Sequence, residues 1–469
     1  MRAKCRSFCN VAIFSVLLTS PCWAQAQKTP IQITADLSDA PRQLFHAEVD
    51  LPVTAGPLTL TTPKWIPGDH RPVGPVDSIT GVVFTANGQT LEWHRDDVDL
   101  YQFHVTVPKG VATLHAHFDC IALANVSRKL AVLDWQMLLL YPANTPVHDI
   151  PIQPSLIVPA GWSVGTALSP NPGGTYPLPA SGSTTHFAVI NVEQLLDSPI
   201  LTGQYFHEFA LAPEISPKHY VDAASDAPED SDLPPAVLAK IATLVREADA
   251  LYRSHHYNEY HFLVALSDVL GFLTLEHGQS SEYSLAEKDF LDEGHLLADS
   301  DEIPHEFTHS WNGKYRRPEG LYQPDFATPQ QGALLWVYEG LTQYLGDVLG
   351  ARSGFETQAQ YRDLLAWAAA YQDYSPGREW RSTEDTAISS SILHEGQLGR
   401  DQSWANWKRG QDYYDEGELL WLDADTLIRK MTNNQKSLDD FQRIFLGKGG
   451  NTGPLIVTYT FEGTGSRPE

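Results

Sequence analysis

The segment His305-Glu306-Phe307-Thr308-His309 carries an H-E-x-x-H pattern. On an α-helix, residues four apart lie on the same face, so the two imidazoles can bind one Zn²⁺ ion. Glu306 then lies beside the metal, where its carboxylate can accept a proton from an attacking water. The alternative is a surface helix with two solvated histidines. Pro304 directly precedes the pattern, which predicts that the helix begins there with the proline in its first turn.

A catalytic zinc site needs a third protein ligand, and Glu339 is the best candidate. It lies in a predicted helix that is apolar over much of its circumference, and its helical neighbours carry no positive charge. A carboxylate in such surroundings is costly unless a cation approaches from elsewhere, and a metal ion meets that need. The alternative is that Glu339 faces water or pairs with an arginine from another element. Thr328 as N-cap, with Pro329 and Gln331, predicts the start of this helix.

The elements that must position these residues fall into two groups. From about residue 30 to 210, short segments with period-two alternation are separated by Pro and Gly, which predicts antiparallel strands. Beyond an acidic, Pro-rich stretch the period becomes helical, as in the face formed by Leu238, Ile241 and Val245. The predicted organisation is an N-terminal antiparallel β-sandwich-like domain at 27–220, a linker at 221–235, a mainly α-helical catalytic domain at 236–455 and a tail at 456–469.

The N-terminus has the form of a signal peptide. Three basic residues precede a short apolar run, and Ala24-Gln25-Ala26 supplies a cleavage site after Ala26, so 1–26 is predicted to be removed. We therefore expect an exported protein with no stable membrane anchor, located in the periplasm of a Gram-negative bacterium. Only Cys120 remains after cleavage, which excludes an internal disulfide.

The charge balance bears on possible partners. The chain of 469 residues has 58 acidic and 32 basic residues and a formal net charge of −26. Because binding of phosphate backbones needs a positive surface, this composition argues against a nucleic-acid partner.

Longer motifs around these residues resemble those of a known family. His305-Glu306-Phe307-Thr308-His309-Ser310-Trp311-Asn312-Gly313-Lys314 continues to Arg317-Pro318, and Leu335-Trp336 precedes Glu339-Gly340. These segments strongly resemble the M61 glycyl aminopeptidases, which are gluzincin zinc metallopeptidases with the patterns HExxHxWNxKxxRP and LWxxEGxTxY. Pro63-Lys64-Trp65-Ile66-Pro67-Gly68 resembles the family's N-terminal element, and Leu275-Glu276-His277 resembles its G-G-L-E-H element.

The resemblance implies a thermolysin-like catalytic domain and a role for each matching residue. His305, His309 and Glu339 would bind one Zn²⁺ per chain, and Glu306 would be the general base. Glu276 would bind the free α-amino group of a peptide substrate, and Tyr414 would stabilise the oxyanion. Because Tyr413 is adjacent, the register of the two tyrosines stays open, and Lys314, Arg316 and Arg317 are expected to be exposed surface residues.

The implied activity is removal of the first residue of peptides with a free N-terminus, with a preference for small residues such as Gly or Ala. Some positions depart from the family pattern: Glu416 replaces a lysine, and Leu273 and Thr274 replace glycines, which puts the shape of the amine pocket in doubt. By comparison with the family pattern, we expect this protein to work without the closing helices and PDZ domain, or to be truncated. The alternatives are a catalytically impaired zinc-binding homologue and a non-enzymatic exported binding protein.

Overall fold

The computed structural model describes residues 29–171, 184–291, 301–393 and 404–461 of the chain. The predicted signal peptide at 1–26 lies outside these described residues. In the ranges that are described, no helix has both the length and the apolarity to cross a bilayer.

Two β-sheets pack face to face in the N-terminal part. The strands of the larger, eight-stranded sheet are β1 (Ile31–Asp36), β2 (Leu44–Pro52), β4 (Ile79–Ala86), β5 (Gln89–Leu91), β8 (Thr113–Ile121), β11 (Pro151–Ile157), β13 (Thr185–His186) and β14 (Ile190–Asn191). The strands of the smaller sheet are β3 (Gly56–Thr61), β6 (Trp93–Arg95), β7 (Gln102–Val107) and β10 (Tyr141–Pro142). Alternate residues of β2 and β8 are buried in a core shared by both sheets, as period-two alternation requires.

Apart from the parallel β1–β11 pair, the pairings in these two sheets are antiparallel. A small three-stranded sheet, ordered β12-β15-β9, adjoins them and consists of β9 (Leu130–Leu133), β12 (Ser163–Gly165) and β15 (Ile200–Gly203). Helix α1 (Val192–Leu196) lies just before β15. The predicted sandwich-like β domain followed by a mainly helical region is confirmed.

A five-stranded sheet follows in the chain. Its strands are β16 (Tyr205–Leu211), β17 (His219–Ser225), β18 (Tyr260–Leu266), β19 (Leu273–Glu276) and β20 (Ser280–Leu285), in the order β16-β17-β18-β20-β19. Helix α2 (Pro235–Tyr252) buries Ile241 and Val245 in the core that it shares with this sheet. The helical period predicted for this segment is confirmed.

The predicted linker at 221–235 is wrong over residues 221–225. These residues belong to β17, an inner strand whose side chains are almost all buried. Asp222 contributed to the acidic appearance of the stretch, but its carboxylate is buried and lies 2.7 Å from Nδ1 of His261 on the neighbouring strand. The acidic composition of the segment therefore did not reveal the buried strand β17, in which the charge of Asp222 is paired with His261.

The remaining elements are mostly helices. They are α3 (Glu302–His309), α4 (Leu335–Ser353), α5 (Gln358–Tyr374), α6 (Thr383–Ile388), α7 (Ser390–Leu393), α8 (Ala405–Lys408), α9 (Asp415–Met431) and α10 (Leu438–Phe445). Helix α4 packs against α3 on one side and α9 on the other, and α3 also packs against the edge strand β19.

Two sequence predictions about these elements are wrong. Helix α4 begins at Leu335, and the hydroxyl of Thr328 donates to Asp325 at 2.8 Å instead of capping a helix. The predicted tail at 456–469 contains β22 (Val457–Tyr459), which pairs in parallel with β21 (Arg316–Pro318) just after α3. Both outcomes depend on contacts that are distant in sequence.

Candidate metal centre and active-site cleft

Helix α3 places both histidines of the H-E-x-x-H pattern on one buried face. Pro304 is in its first turn, as predicted, because the helix starts at Glu302. His305 and His309 are 6% and 1% exposed, and their Nε2 atoms lie 3.0 Å apart. The alternative of two solvated histidines is therefore excluded.

Glu339 reaches the same point from helix α4. Its Oε2 lies 3.1 Å from Nε2 of His309 and 3.4 Å from Nε2 of His305. Tetrahedral Zn²⁺ with ligand bonds of roughly 2.0–2.1 Å separates its ligand atoms by about 3.3 Å. The three donors are of the types that zinc prefers and have nearly this spacing, so they fit the ion.

The orientation of His309 is set by a hydrogen bond on its far side. Nδ1 donates to the backbone carbonyl of Asn312 at 2.9 Å, which leaves Nε2 without a proton and directed at Glu339. The amide of Asn312 in turn donates to the carbonyls of Val337 and Tyr338, at 2.9 and 3.1 Å. This side chain therefore links the end of α3 to the turn of α4 that carries the third candidate ligand.

The sequence did not identify His70, which lies against the other oxygen of Glu339. Its Nε2 is 2.5 Å from Oε1 of Glu339, and the imidazole is 3% exposed. Burial by itself lowers the pKa of His70, but the Glu339 carboxylate raises it overall. The motif that resembles the family's N-terminal element ends two residues before His70. This short distance along the sequence is the signal that could have identified His70 as a site residue.

Glu306 lies beside the candidate metal ligands and lines the cleft. Its Oε1 accepts a hydrogen bond from Thr274 at 2.9 Å, and its buried Oε2 has no partner in the described ranges. Burial, followed by repulsion from the carboxylates of Glu276, Glu302 and Glu339, raises the pKa of Glu306 well above its ordinary value. A cation held by the two imidazoles would offset this repulsion. Thr274, a departure from the family pattern, thus contacts the candidate base.

Glu276 is buried in the wall of the same cleft, at the end of β19. The hydroxyl of Tyr338 donates to its Oε1, and Nζ of Lys314 lies 3.8 Å from that oxygen. Although burial raises the pKa of Glu276, the positive charge of Lys314 lowers it overall, so the group is ionised. The prediction that Lys314, Arg316 and Arg317 are exposed is wrong, because all three are buried.

The structure distinguishes the two adjacent tyrosines. Tyr414 lines the cleft, and its ring stacks on His305 with the centroids 5.9 Å apart. Tyr413 is fully buried away from the cleft. Burial, followed by the negative charge of Glu339, raises the pKa of Tyr414 well above its ordinary value, so its phenol keeps the proton and can donate a hydrogen bond.

The cleft itself has a volume of about 580 Å³. The six candidate site residues predicted from the sequence all line it, together with residues such as Gly68, Asp69, Arg71, Phe272, Trp367, Asp412 and Asp415. Most of the charged groups are carboxylates, which suits a positively charged ligand. The arrangement can hold a divalent cation beside a general base, a phenol donor and a carboxylate directed at the cleft.

Two sequence profiles of known protein families match the chain. The sequence profile of the M61 glycyl aminopeptidase matches residues 300–420, and that of the peptidase M61 N-terminal domain matches residues 32–204. Together these ranges span more than half of the chain. The comparison with curated proteins found no match.

Among solved structures, the fold is similar to that of an aminopeptidase N family protein from Idiomarina loihiensis. The TM-score is 0.74 at 21% sequence identity, and the alignment covers 90% of this chain and 70% of that chain. At this level of identity the likeness concerns the fold.

Proposed function

Because the chain belongs to the M61 glycyl aminopeptidase family of metallopeptidases, we propose that it is a zinc-dependent aminopeptidase that hydrolyses the first peptide bond of its substrates. The observation that carries the proposal is the convergence of His305, His309 and Glu339 on one point, with Glu306 and Glu276 in the same cleft. We further propose that the preferred first residue is Gly or Ala, by resemblance to the family.

The metal has a defined contribution in this proposal. When bound by the two imidazoles and Glu339, zinc would acidify the attacking water and polarise the scissile carbonyl. The hydrogen bonds from His309 to the Asn312 carbonyl and from His70 to Glu339 hold two of these ligands in place.

Glu306, Tyr414 and Glu276 would each have a separate role in the reaction. The Glu306 carboxylate takes a proton from the attacking water and passes it to the leaving amine nitrogen. The Tyr414 hydroxyl donates a hydrogen bond to the developing oxyanion. Glu276 binds the substrate ammonium, so that the first peptide bond is the one that reaches Glu306.

A single substitution tests the assignment of the base. Glu306→Gln keeps the size of the side chain but cannot accept the proton, so we expect zinc to remain bound while kcat falls by about 10²- to 10⁴-fold. Metal content by atomic absorption and hydrolysis of alanyl-p-nitroanilide are measured on the same preparation. Turnover comparable to wild type would rule out this role.

The same measurements on the wild-type protein distinguish the alternatives. Bound zinc without hydrolysis of any glycyl or alanyl substrate would favour an impaired homologue. Absence of metal after gentle purification would favour a binding protein.

We also propose that the protein is exported, on the basis of the basic and apolar N-terminal segment followed by Ala24-Gln25-Ala26. The N-terminal sequence of protein purified from the periplasmic fraction tests this. A mature chain that begins at Gln27 is the expected result, and an intact Met1 in the cytoplasmic fraction would contradict it.

A further inference from the structure

The two oxygens of the Glu276 carboxylate have different surroundings. Oε1 is held by the hydroxyl of Tyr338 and faces Nζ of Lys314 at 3.8 Å. Within the part of the chain that the structure describes, no hydrogen bond is made to Oε2, although Glu276 is only 3% exposed and lines the cleft. One oxygen is thus fixed by the protein and the other remains available to a ligand.

The ammonium of Lys314 is shared between two carboxylates. It lies 3.0 Å from Oδ1 of Asp197, closer than it lies to Glu276, and the Lys314 side chain is 4% exposed. Oδ2 of Asp197 accepts the backbone N–H of Gly278 at 2.9 Å, two residues beyond Glu276. With Asp197 and Glu276 ionised, the group of three has one net negative charge. Lys314 therefore orients Glu276 without cancelling its ability to attract a cation.

Tyr338 is itself fixed in position. Gly313, which precedes Lys314, has φ of +133°, and a Cβ there would lie 2.6 Å from Cζ of the Tyr338 ring. The ring also packs edge-on against His70, with the centroids 5.0 Å apart. The donor to Oε1 is therefore held between the zinc-ligand region and the loop that carries Lys314.

Gly68 packs directly against the Glu276 carboxylate. Its φ is +98°, and a Cβ at this position would lie 2.8 Å from Oε2 and 3.1 Å from Oε1 of Glu276, and 2.5 Å from Cδ1 of Leu275. Only glycine adopts this backbone conformation without strain. A side chain at this position would therefore displace the carboxylate from the place in which its oxygens are held.

We propose that Lys314, Asp197 and Tyr338 are positioning residues that hold Glu276 by Oε1, with the Gly68 backbone packed against the carboxylate, so that Oε2 binds the free amino group of the substrate. This inference rests on the proposed aminopeptidase function. It extends that function to residues that do not touch the reacting atoms and that come in part from the N-terminal β domain.

A pair of ligands separates amine recognition from metal binding. Alanine hydroxamate and propionohydroxamate have the same carbon skeleton and the same zinc-binding group, but only the first has an amino group. We expect zinc-loaded wild-type protein to bind alanine hydroxamate about 30-fold more tightly, as expected for a charged hydrogen bond. In Lys314→Met and in Gly68→Ala, we expect this ratio to fall below about 3-fold. Isothermal titration calorimetry measures both dissociation constants without turnover.

Lys436→Met is the matched control, because the Lys436 side chain is 61% exposed and pairs with Asp440 on the surface. It should keep the wild-type ratio. A purely structural defect would weaken both hydroxamates equally and leave the ratio unchanged. An unchanged ratio in folded, zinc-loaded Lys314→Met or Gly68→Ala would overturn the inference, as would a wild-type ratio near one. Wild-type protein that discriminates the hydroxamates but hydrolyses no peptide would instead contradict the proposed function.

Discussion

The two carboxylate oxygens of Glu339 contact different residues. Oε2 faces the imidazoles of His305 and His309, whereas Oε1 is held by His70. A hydrogen-bonded ligand has a fixed orientation, and such outer partners commonly contribute 10- to 100-fold to metal affinity. His70 thus couples the N-terminal β domain to the candidate metal site.

This arrangement predicts the effect of replacing His70. We expect His70→Phe to raise the dissociation constant for zinc by roughly 10- to 100-fold, because Glu339 loses the hydrogen-bond donor that orients it. Competition with a chromogenic chelator measures the constant. His148→Phe is the control, since that side chain is 46% exposed. Equal zinc affinity of His70→Phe and the control would contradict the role.

The two neighbouring tyrosines allow a paired experiment. Tyr414→Phe removes the phenol that lines the cleft, and we expect kcat to fall by about 10²-fold or more with zinc content unchanged. Tyr413→Phe should leave kcat close to wild type, because that hydroxyl lies outside the cleft. Steady-state kinetics on alanyl-p-nitroanilide measure kcat of both variants. A larger loss of kcat in Tyr413→Phe would assign the oxyanion role to Tyr413 instead of Tyr414.

Helices α4 and α9 cross at two glycines, Gly340 and Gly417. A Cβ on Gly340 would lie 2.6 Å from Cα of Gly417 and 2.7 Å from the carbonyl oxygen of Tyr413. The two backbones therefore approach more closely than any side chain permits. Gly340 follows Glu339 directly, and Tyr413 precedes Tyr414, so this crossing sets the distance between the third candidate ligand and the phenol.

A side chain added at this helix crossing should lower both the stability and the activity of the protein. We expect Gly340→Ala to lower the free energy of unfolding by about 1–3 kcal/mol, because the helices must separate, and to lower kcat. Urea unfolding and kinetics measure the two effects. Gly271→Ala is the control, because its added Cβ would lie 3.7 Å from Cβ of Ala124, an ordinary contact distance. Stability and kcat of Gly340→Ala equal to those of the control would show that the crossing tolerates a side chain.

The strand pair β17–β18 contains a buried, titratable contact between Asp222 and His261. Burial by itself lowers the pKa of His261, but the carboxylates of Asp222 and Glu259 raise it to about 9, above the ordinary value of 6.5. A raised pKa in the folded state means that the protonated form stabilises the fold. This stabilisation is complete below pH 6.5 and is lost as the pH rises through about 9.

The pH dependence of unfolding tests this contact. We expect the free energy of unfolding to fall by at most about 3 kcal/mol between pH 6 and pH 10 through this group. Because other groups also titrate, the informative quantity is the difference in slope between wild type and His261→Gln, measured by urea unfolding. Identical slopes in the two proteins would show that His261 does not contribute.

At the scale of the whole molecule, metal binding should stabilise the fold. The candidate ligands come from two helices, and His70 adds a partner from the β domain, so the site does not exist in the unfolded chain. Zinc at 1,000 times its dissociation constant would add roughly 4 kcal/mol to the free energy of unfolding.

We therefore expect chelation by EDTA to lower the Tm of wild-type protein and zinc to restore it. His309→Ala should show a much smaller difference between the two conditions. Differential scanning calorimetry measures the change, and a Tm of the wild-type protein that is independent of zinc would contradict the assignment of the site.

The sequence by itself was sufficient for the order of the modules and for the placement of the two histidines of the central motif. Period-two and helical patterns are local properties, and so is the spacing that puts His305 and His309 on one helix turn. Glu339 was also predictable, because an unpaired carboxylate in an apolar helix requires a distant cation. Only the tertiary structure decided that His70 lies against Glu339 and that Lys314 is buried beside Glu276. Those contacts depend on which elements meet in space, and the free energy of burying a charge depends on partners that no local pattern specifies.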